Sequence, residues 1–130
     1  MQLKFNNNTM VDVLTINGGS RYFQGANRDS LEIQLDKGKY SFDELDKLTG
    51  NPANTAKFTI LDGEEQFVHE NYVLRVELAI RAVEVSPANS AAAAVIEEHV
   101  CIILAQKTYM ETQLDALRSA VDTLTAGKER

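Results

Sequence analysis

The sequence predicts an α+β protein: a mostly antiparallel β domain over residues 1–107, followed by a C-terminal amphipathic helix over residues 108–127. Three patterns predict it, namely short runs that alternate apolar and polar residues, an internal helix-start motif, and an apolar seam near the C-terminus. The β domain is expected to be β-sandwich-like and to contain one short helix. At 130 residues the chain has the usual size of a single folded unit.

The first third of the chain has the pattern of short strands separated by turns. Residues 10–16 are rich in β-branched and apolar side chains, and Tyr22 and Phe23 resume the apolar pattern. Between them, Asn17 and Gly18 have the composition of a tight hairpin turn, because both residue types tolerate positive φ. A hairpin turn is therefore predicted at Asn17-Gly18.

The next two elements have clear local signals. Residues 31–35 place Leu, Ile and Leu at alternate positions, which predicts a strand with one apolar face. Ser41 and Glu44 have the spacing of a capping box, and Gly50 is placed to end the helix that they begin. A short helix of about two turns is predicted there.

The middle of the chain is expected to contain two further strands. One includes Phe58 and Ile60 and turns at Asp62-Gly63. The other is predicted as a single long strand from about residue 66 to residue 81, because apolar and charged side chains alternate over residues 72–81. Its polar face carries charges of both signs.

Residues 91–106 have conflicting signals, because residues 91–94 are all Ala, whereas the β-branched residues after them favour a strand. Thr108 and Glu111 form a second capping box, which indicates that a new helix starts there. We therefore predict a strand over residues 95–106 that pairs with the long strand. One unbroken helix from Ser90 is the alternative.

Apolar residues in the C-terminal helix recur at steps of four and three, which is the spacing of a heptad seam. Gly127 is placed to end the helix, and residues 128–130 form a charged tail. The seam has two interpretations: it packs on the sheet of its own chain, or it pairs with other copies in a short coiled coil. The candidate interface residues are Met110, Leu114, Leu117, Val121 and Leu124.

Few residues of the chain suggest a catalytic or metal-binding role. His69 and His99 stand far apart with no further ligands at metal-binding spacing, so no metal site is predicted. Cys101 has apolar neighbours, which predict a buried thiol whose pKa is raised. We expect no catalytic residue, no cofactor and no enzymatic activity.

Two other groups of residues could suggest a ligand. The glycine-rich residues 17–20 lack the spacing of a phosphate-binding loop and have the composition of a turn. Four aromatic residues could form a binding patch, but aromatic side chains on strands mostly pack inward. No small-molecule substrate is therefore expected; the four residues are Tyr22, Phe23, Tyr40 and Tyr72.

Charge and hydropathy restrict the partners and the location. Thirteen basic and nineteen acidic residues give a net charge of -6, and the basic residues are scattered, so nucleic acid is not an expected partner. The first residues lack a secretory signal, and no apolar run is long enough to cross a membrane. We expect a protein of the cytoplasm of the producing cell, or of a virion assembled there.

Three segments carry a resemblance to a class of proteins. They are Arg21-Tyr22-Phe23-Gln24-Gly25-Ala26, Phe42-Asp43-Glu44-Leu45-Asp46 and Leu104-Ala105-Gln106-Lys107-Thr108-Tyr109. With the helix that follows, they resemble small tail-module proteins of phages and prophages of Gram-positive bacteria. The resemblance implies a repeated, non-enzymatic part of a tail or baseplate, with other phage structural proteins as partners and no catalytic residues to transfer.

Two functional hypotheses follow. The first is a virion structural or assembly protein that forms a homo-oligomer through the seam. The second is a small phage-encoded inhibitor that binds a host defence protein through its acidic surface. The oligomeric state distinguishes them, because the first requires a defined homo-oligomer.

Overall fold

The computed structural model describes the backbone of residues 1–128 and the side chains of residues 1–125. These residues form two antiparallel four-stranded sheets and three helices, the last of them C-terminal, so the predicted α+β class is confirmed. The elements in chain order are β1 (Gln2–Lys4), β2 (Met10–Asp12), β3 (Thr15–Phe23), β4 (Ala26–Asp36), α1 (Phe42–Gly50), α2 (Pro52–Thr55), β5 (Lys57–Asp62), β6 (Glu65–Glu70), β7 (Leu74–Ser86), β8 (Val95–Ala105) and α3 (Tyr109–Lys128).

Both sheets contribute to one hydrophobic core. The first sheet has the strand order β2-β1-β5-β6 and the second has the order β3-β4-β8-β7. Leu3 and Ile60 from the first sheet and Ile33 and Ile102 from the second are buried in the same cluster, together with Leu45 of α1. Burial of these side chains removes apolar surface from water, which is the main force that holds the two sheets together.

The predicted internal helix is confirmed. Ser41 is its N-cap, and the hydroxyl oxygen accepts a hydrogen bond from the backbone N–H of Glu44 at 3.1 Å. The helix ends at Gly50, as its position indicates. Asn51 then caps a second short helix, α2, which was not predicted; the side-chain oxygen of Asn51 accepts from the N–H of Ala53 at 3.1 Å.

The predicted hairpin turn at Asn17-Gly18 is wrong, because both residues lie inside β3. The turn is at Gln24-Gly25, where φ is 48° and 82°. This register places Ile16 opposite Ile33 on the core side of the sheet. A turn at Asn17-Gly18 would instead place Ile16 opposite Gly19, and the apolar pair would be lost.

The prediction of one continuous strand over residues 66–81 is also wrong. It is two strands, β6 and β7, which belong to different sheets. Between them Asn71 has a φ of 70° and its backbone N–H donates to the carbonyl oxygen of Ala56 at 2.8 Å. Apolar and polar residues alternate only from Tyr72 onward, and the three consecutive polar residues 69–71 coincide with the break.

The predicted strand over residues 95–106 is confirmed as β8, which pairs antiparallel with both β4 and β7. The alternative of an unbroken helix from Ser90 is wrong, because pairing on both sides buries Val100, Ile102 and Ile103. The C-terminal helix passes through Gly127 and extends to Lys128, one residue beyond its predicted end. The last two residues of the predicted charged tail lie outside the described residues.

Candidate interaction site

The candidate interaction site is α3, and its first turn is fixed by the predicted capping box. The backbone N–H of Thr108 donates to the Glu111 carboxylate at 2.8 Å, and the N–H of Glu111 donates to the Thr108 hydroxyl at 3.2 Å. Two N–H groups that have no partner within the helix are thereby satisfied. The start of the helix therefore has one defined position.

Arg28 of β4 anchors this first turn to the second sheet. Its guanidinium is fully buried and bonds both oxygens of Glu111, with an Nη2–Oε2 distance of 2.9 Å. Its Nε donates to the carbonyl oxygen of Phe23 at 2.7 Å, and its other N–H groups reach the carbonyls of Gln24 and Gln106 at 3.2 Å. One side chain thus joins the β3–β4 turn, the end of β8 and α3.

Electrostatics at the anchor favours the charged forms of both groups. Hydrogen bonds from Arg28 and from the Thr108 backbone lower the pKa of Glu111 to about 2. The Glu111 carboxylate in turn raises the pKa of Arg28. The ion pair is therefore present at neutral pH and persists well below the usual pKa of a glutamate.

The segment between β8 and α3 is held by both sheets. Gln106 donates its backbone N–H to the carbonyl of Asp29 and its side-chain amide to the carbonyl of Glu70, each at 2.9 Å. Asn71 donates its side-chain amide to the carbonyl of Lys107 at 3.3 Å. Because Asp29 belongs to β4 and Glu70 to β6, these bonds fix the base of α3 to the whole body of the protein.

Beyond its base, α3 exposes its apolar seam. Every residue from 116 to 125 is exposed. The five seam residues are between 47% and 69% exposed, so the interpretation that the helix packs on the sheet of its own chain is wrong. The stripe predicted from the sequence is uncovered in the structure: Met110, Leu114, Leu117, Val121 and Leu124.

The histidines and the cysteine have structural surroundings. His69 stacks on the ring of Phe58, with ring centroids 5.6 Å apart and an interplanar angle of 5°. His99 is buried and lies 3.1 Å from both Gln34 and Glu97. Cys101 is buried, and burial raises the pKa of its thiol, as predicted. Within the described part of the chain, no group of three or more metal-binding side chains comes together.

The four aromatic residues are not all in the core. Tyr72 is buried against Phe58, and Tyr40 packs at the edge of the core, where its hydroxyl accepts from the N–H of Asp12 at 2.8 Å. Tyr22, however, is 73% exposed, so its predicted burial is wrong. It lies next to the β3–β4 turn, opposite Asn27 of β4.

An open cleft of about 500 Å³ lies between β2 and α1. Met10, Tyr40 and Leu48 form part of its apolar lining, and Glu44 and Lys47 are among its polar groups. No pattern in the sequence predicts this cleft, because it arises where an edge strand and a helix from separate segments meet. Its charged groups have opposite signs and do not define a ligand.

Comparison of the chain with protein-family models, with curated proteins and with solved structures finds no match. The fold and the site define the class of protein: a two-sheet α+β body with an anchored helix that presents an apolar seam. None of the described helices is both long and apolar enough to cross a membrane.

Proposed function

We propose that this protein is a non-enzymatic structural or assembly subunit that forms a homo-oligomer through α3. The observation that carries the proposal is the seam of Met110, Leu114, Leu117, Val121 and Leu124, which is exposed on a helix whose base is fixed. The resemblance to small phage tail-module proteins supports a place in a tail or baseplate. Its partners would then be further copies of itself and other phage structural proteins.

Beyond its first turn, α3 extends away from the β domain and is exposed. The helix has 20 residues, and a helix of this length is about 30 Å long and marginally stable alone in water. Pairing the seam with the same seam of another copy would bury both apolar stripes as a short coiled coil. A surface of this kind on a soluble chain is typical of a protein–protein contact.

Two heptads are fewer than a self-standing coiled coil requires. The anchored base compensates in part for the short seam, because Arg28 and the capping box already fix the direction of the first turn. Less conformational entropy is then lost on association than for a free peptide. In this proposal the sandwich-like body is a rigid scaffold, and α3 is its contact element.

The experiment is the solution mass of the full chain by light scattering, compared with a variant that carries Leu117→Asp and Val121→Asp. The control carries Ala116→Asp and Ser119→Asp, which add the same charge to the opposite, exposed face of α3. We expect wild type and control to be oligomers of equal mass, and the seam variant to be a smaller folded species. Circular dichroism checks that the β body remains folded.

A wild-type monomer would contradict the proposal and favour the inhibitor hypothesis, in which the chain acts on a host protein. An oligomer whose mass is unchanged by the seam substitutions would also contradict it, because the contact would then lie elsewhere.

A further inference from the structure

The edge of the second sheet at β3 is open. β3 pairs with β4 through nine consecutive residue pairs without a register shift, and it pairs with no other described strand. Along one side it therefore presents backbone N–H and C=O groups that no neighbouring strand covers. A long and regular edge of this kind is a template for another strand.

The other three edges are short, irregular or charged. β7 has two register irregularities and alternating charged side chains. β2 has only three residues, and the N–H of Asp12 is already bonded to Tyr40. β6 begins and ends with glutamate. β3 has none of these features: it contains no proline and a single charged residue, Arg21.

The hairpin geometry identifies which groups face outward. A two-residue turn closes on a hydrogen-bonded pair, here Phe23 with Ala26, and such pairs alternate along an antiparallel ladder. The residues between them direct their N–H and C=O groups away from β4. On β3 the outward-facing residues are Ile16, Gly18, Ser20 and Tyr22.

We propose that β3 pairs antiparallel with β3 of a second copy, about a two-fold axis at Gly19. Ile16 then lies opposite Tyr22 of the second copy, and Gly18 lies opposite Ser20. Every outward-facing residue falls in a hydrogen-bonded pair, which gives roughly eight backbone hydrogen bonds across the contact. The pairing rests on the proposed self-assembly of the chain and adds a second contact to it.

The side chains of β3 suit this register. Gly19 would lie opposite Gly19 of the second copy, at the non-hydrogen-bonded position where the two backbones come closest. Arg21 would face Asn17, so no like charges meet. Tyr22, which is 73% exposed in the single chain, would pair with the β-branched Ile16 on the same face.

The two-fold axis separates the helices of the paired copies. Antiparallel pairing places the Phe23 ends of the two β3 strands at opposite ends of a continuous eight-stranded sheet. Because Arg28 ties Phe23 and α3 to the same end of the body, the two α3 helices are also at opposite ends. Each seam therefore remains available to another copy, and the two self-complementary contacts together build an assembly larger than a dimer.

The experiment uses the full chain with Leu117→Asp and Val121→Asp as a background, so that only the β3 contact remains. To this background Gly19→Lys or Gly19→Asp is added, and Thr15→Lys serves as the matched control. Position 19 accepts a side chain in the single chain, because its Cβ would lie 3.9 Å from the nearest atom, in Ser30. Thr15 would face the uncharged Phe23 of the second copy. Sedimentation equilibrium measures the dimer dissociation constant of each variant.

We expect the background and the Thr15→Lys control to be dimers. Gly19→Lys and Gly19→Asp should each raise the dimer dissociation constant by roughly fivefold to tenfold, because like charges meet at the axis. An equimolar mixture of the two should restore the dimer, since Lys then faces Asp. This restoration requires position 19 to face itself.

A monomeric background, or a mixture that associates no better than its components, would overturn the β3 pairing. Neither result would affect the proposed function, which is tested by the change in mass between the wild type and the seam variant. Conversely, a wild type and a seam variant that are both β3 dimers would leave this pairing standing and contradict the role of α3.

Discussion

Arg28 and Glu111 lie 83 residues apart in the chain and form a two-point ion pair that fixes α3 to β4. The guanidinium is fully buried, whereas the carboxylate is partly exposed. Arg28 has further hydrogen bonds to three backbone carbonyls, so its charge is not left without partners. The pair holds together the β3–β4 turn, the end of β8 and the first turn of the helix.

Replacing Arg28 by Met should destabilise the protein strongly. The substitution keeps most of the side-chain volume, but it removes the guanidinium hydrogen bonds to three carbonyl groups and to the Glu111 carboxylate. We expect a loss of about 2–3 kcal/mol in the free energy of unfolding, measured by urea denaturation. Arg28→Lys, which keeps the charge but only part of the fork of donors, should lie between wild type and Arg28→Met. Equal stability of all three proteins would contradict the anchoring role.

Glu111 should make stability depend on pH in the acid range. Its pKa is about 2 in the folded chain, against 4.5 for an unperturbed glutamate, so the unfolded state binds the proton first as pH falls. The contribution of Glu111 is therefore fully present above pH 4.5 and is lost as pH falls towards 2.

The measurement is urea denaturation of wild type and Glu111→Gln at pH 7, 4, 3 and 2.5. Wild type should be the more stable at pH 7, and the difference between the two proteins should shrink below pH 4.5. A difference that stays constant over this range would show that the ion pair does not contribute.

The position of the β3–β4 turn can be tested with two glycines. Gly25 has a φ of 82°, which residues with a Cβ rarely adopt, so Gly25→Ala should destabilise the protein by about 1 kcal/mol. Gly18→Ala is the control, because Gly18 lies in a strand and its Cβ would meet Leu31 at an ordinary 3.9 Å. We expect that control to be neutral or slightly stabilising in thermal unfolding. The opposite order would place the turn at Asn17-Gly18 instead.

Cys101 should be unreactive in the folded protein. It is only 1% exposed, and burial raises the pKa of its thiol, so little thiolate is available to attack. An aromatic disulfide reagent at pH 8 should therefore label the native protein very slowly and the protein in guanidinium chloride at once. Rapid labelling of the native protein would show that the outer face of β8 opens readily.

Local elements were predictable from the sequence because their signals lie within a few residues. The capping hydroxyl of Ser41 and the amide of Glu44 are three positions apart, and the same holds for Thr108 and Glu111. The alternation in β4 likewise needs only its own residues. For the candidate site, the sequence identified all five seam residues but not whether anything covers them.

The two incorrect predictions, a turn at Asn17-Gly18 and one strand over residues 66–81, both concern contacts between distant segments. A single strand was predicted from residue 66 although residues 69–71 are three polar residues in a row, and the bond from Asn71 to Ala56 shows that the chain passes to the other sheet there. Asn17-Gly18 and Gln24-Gly25 are both suitable turn sequences, and the choice between them depends on pairing Ile16 with Ile33. Which arrangement forms depends on the energies of contacts between distant segments. A local sequence pattern carries no information about those contacts.

The sequence by itself therefore determined the class of fold, the starts of α1 and α3, and the apolar stripe on the C-terminal helix. Only the tertiary structure decided that this stripe is exposed, that Arg28 anchors its helix, and that β3 forms an open edge. The physical reason is that capping and periodicity act along the chain, whereas exposure, ion pairing and strand order depend on which distant segments pack together.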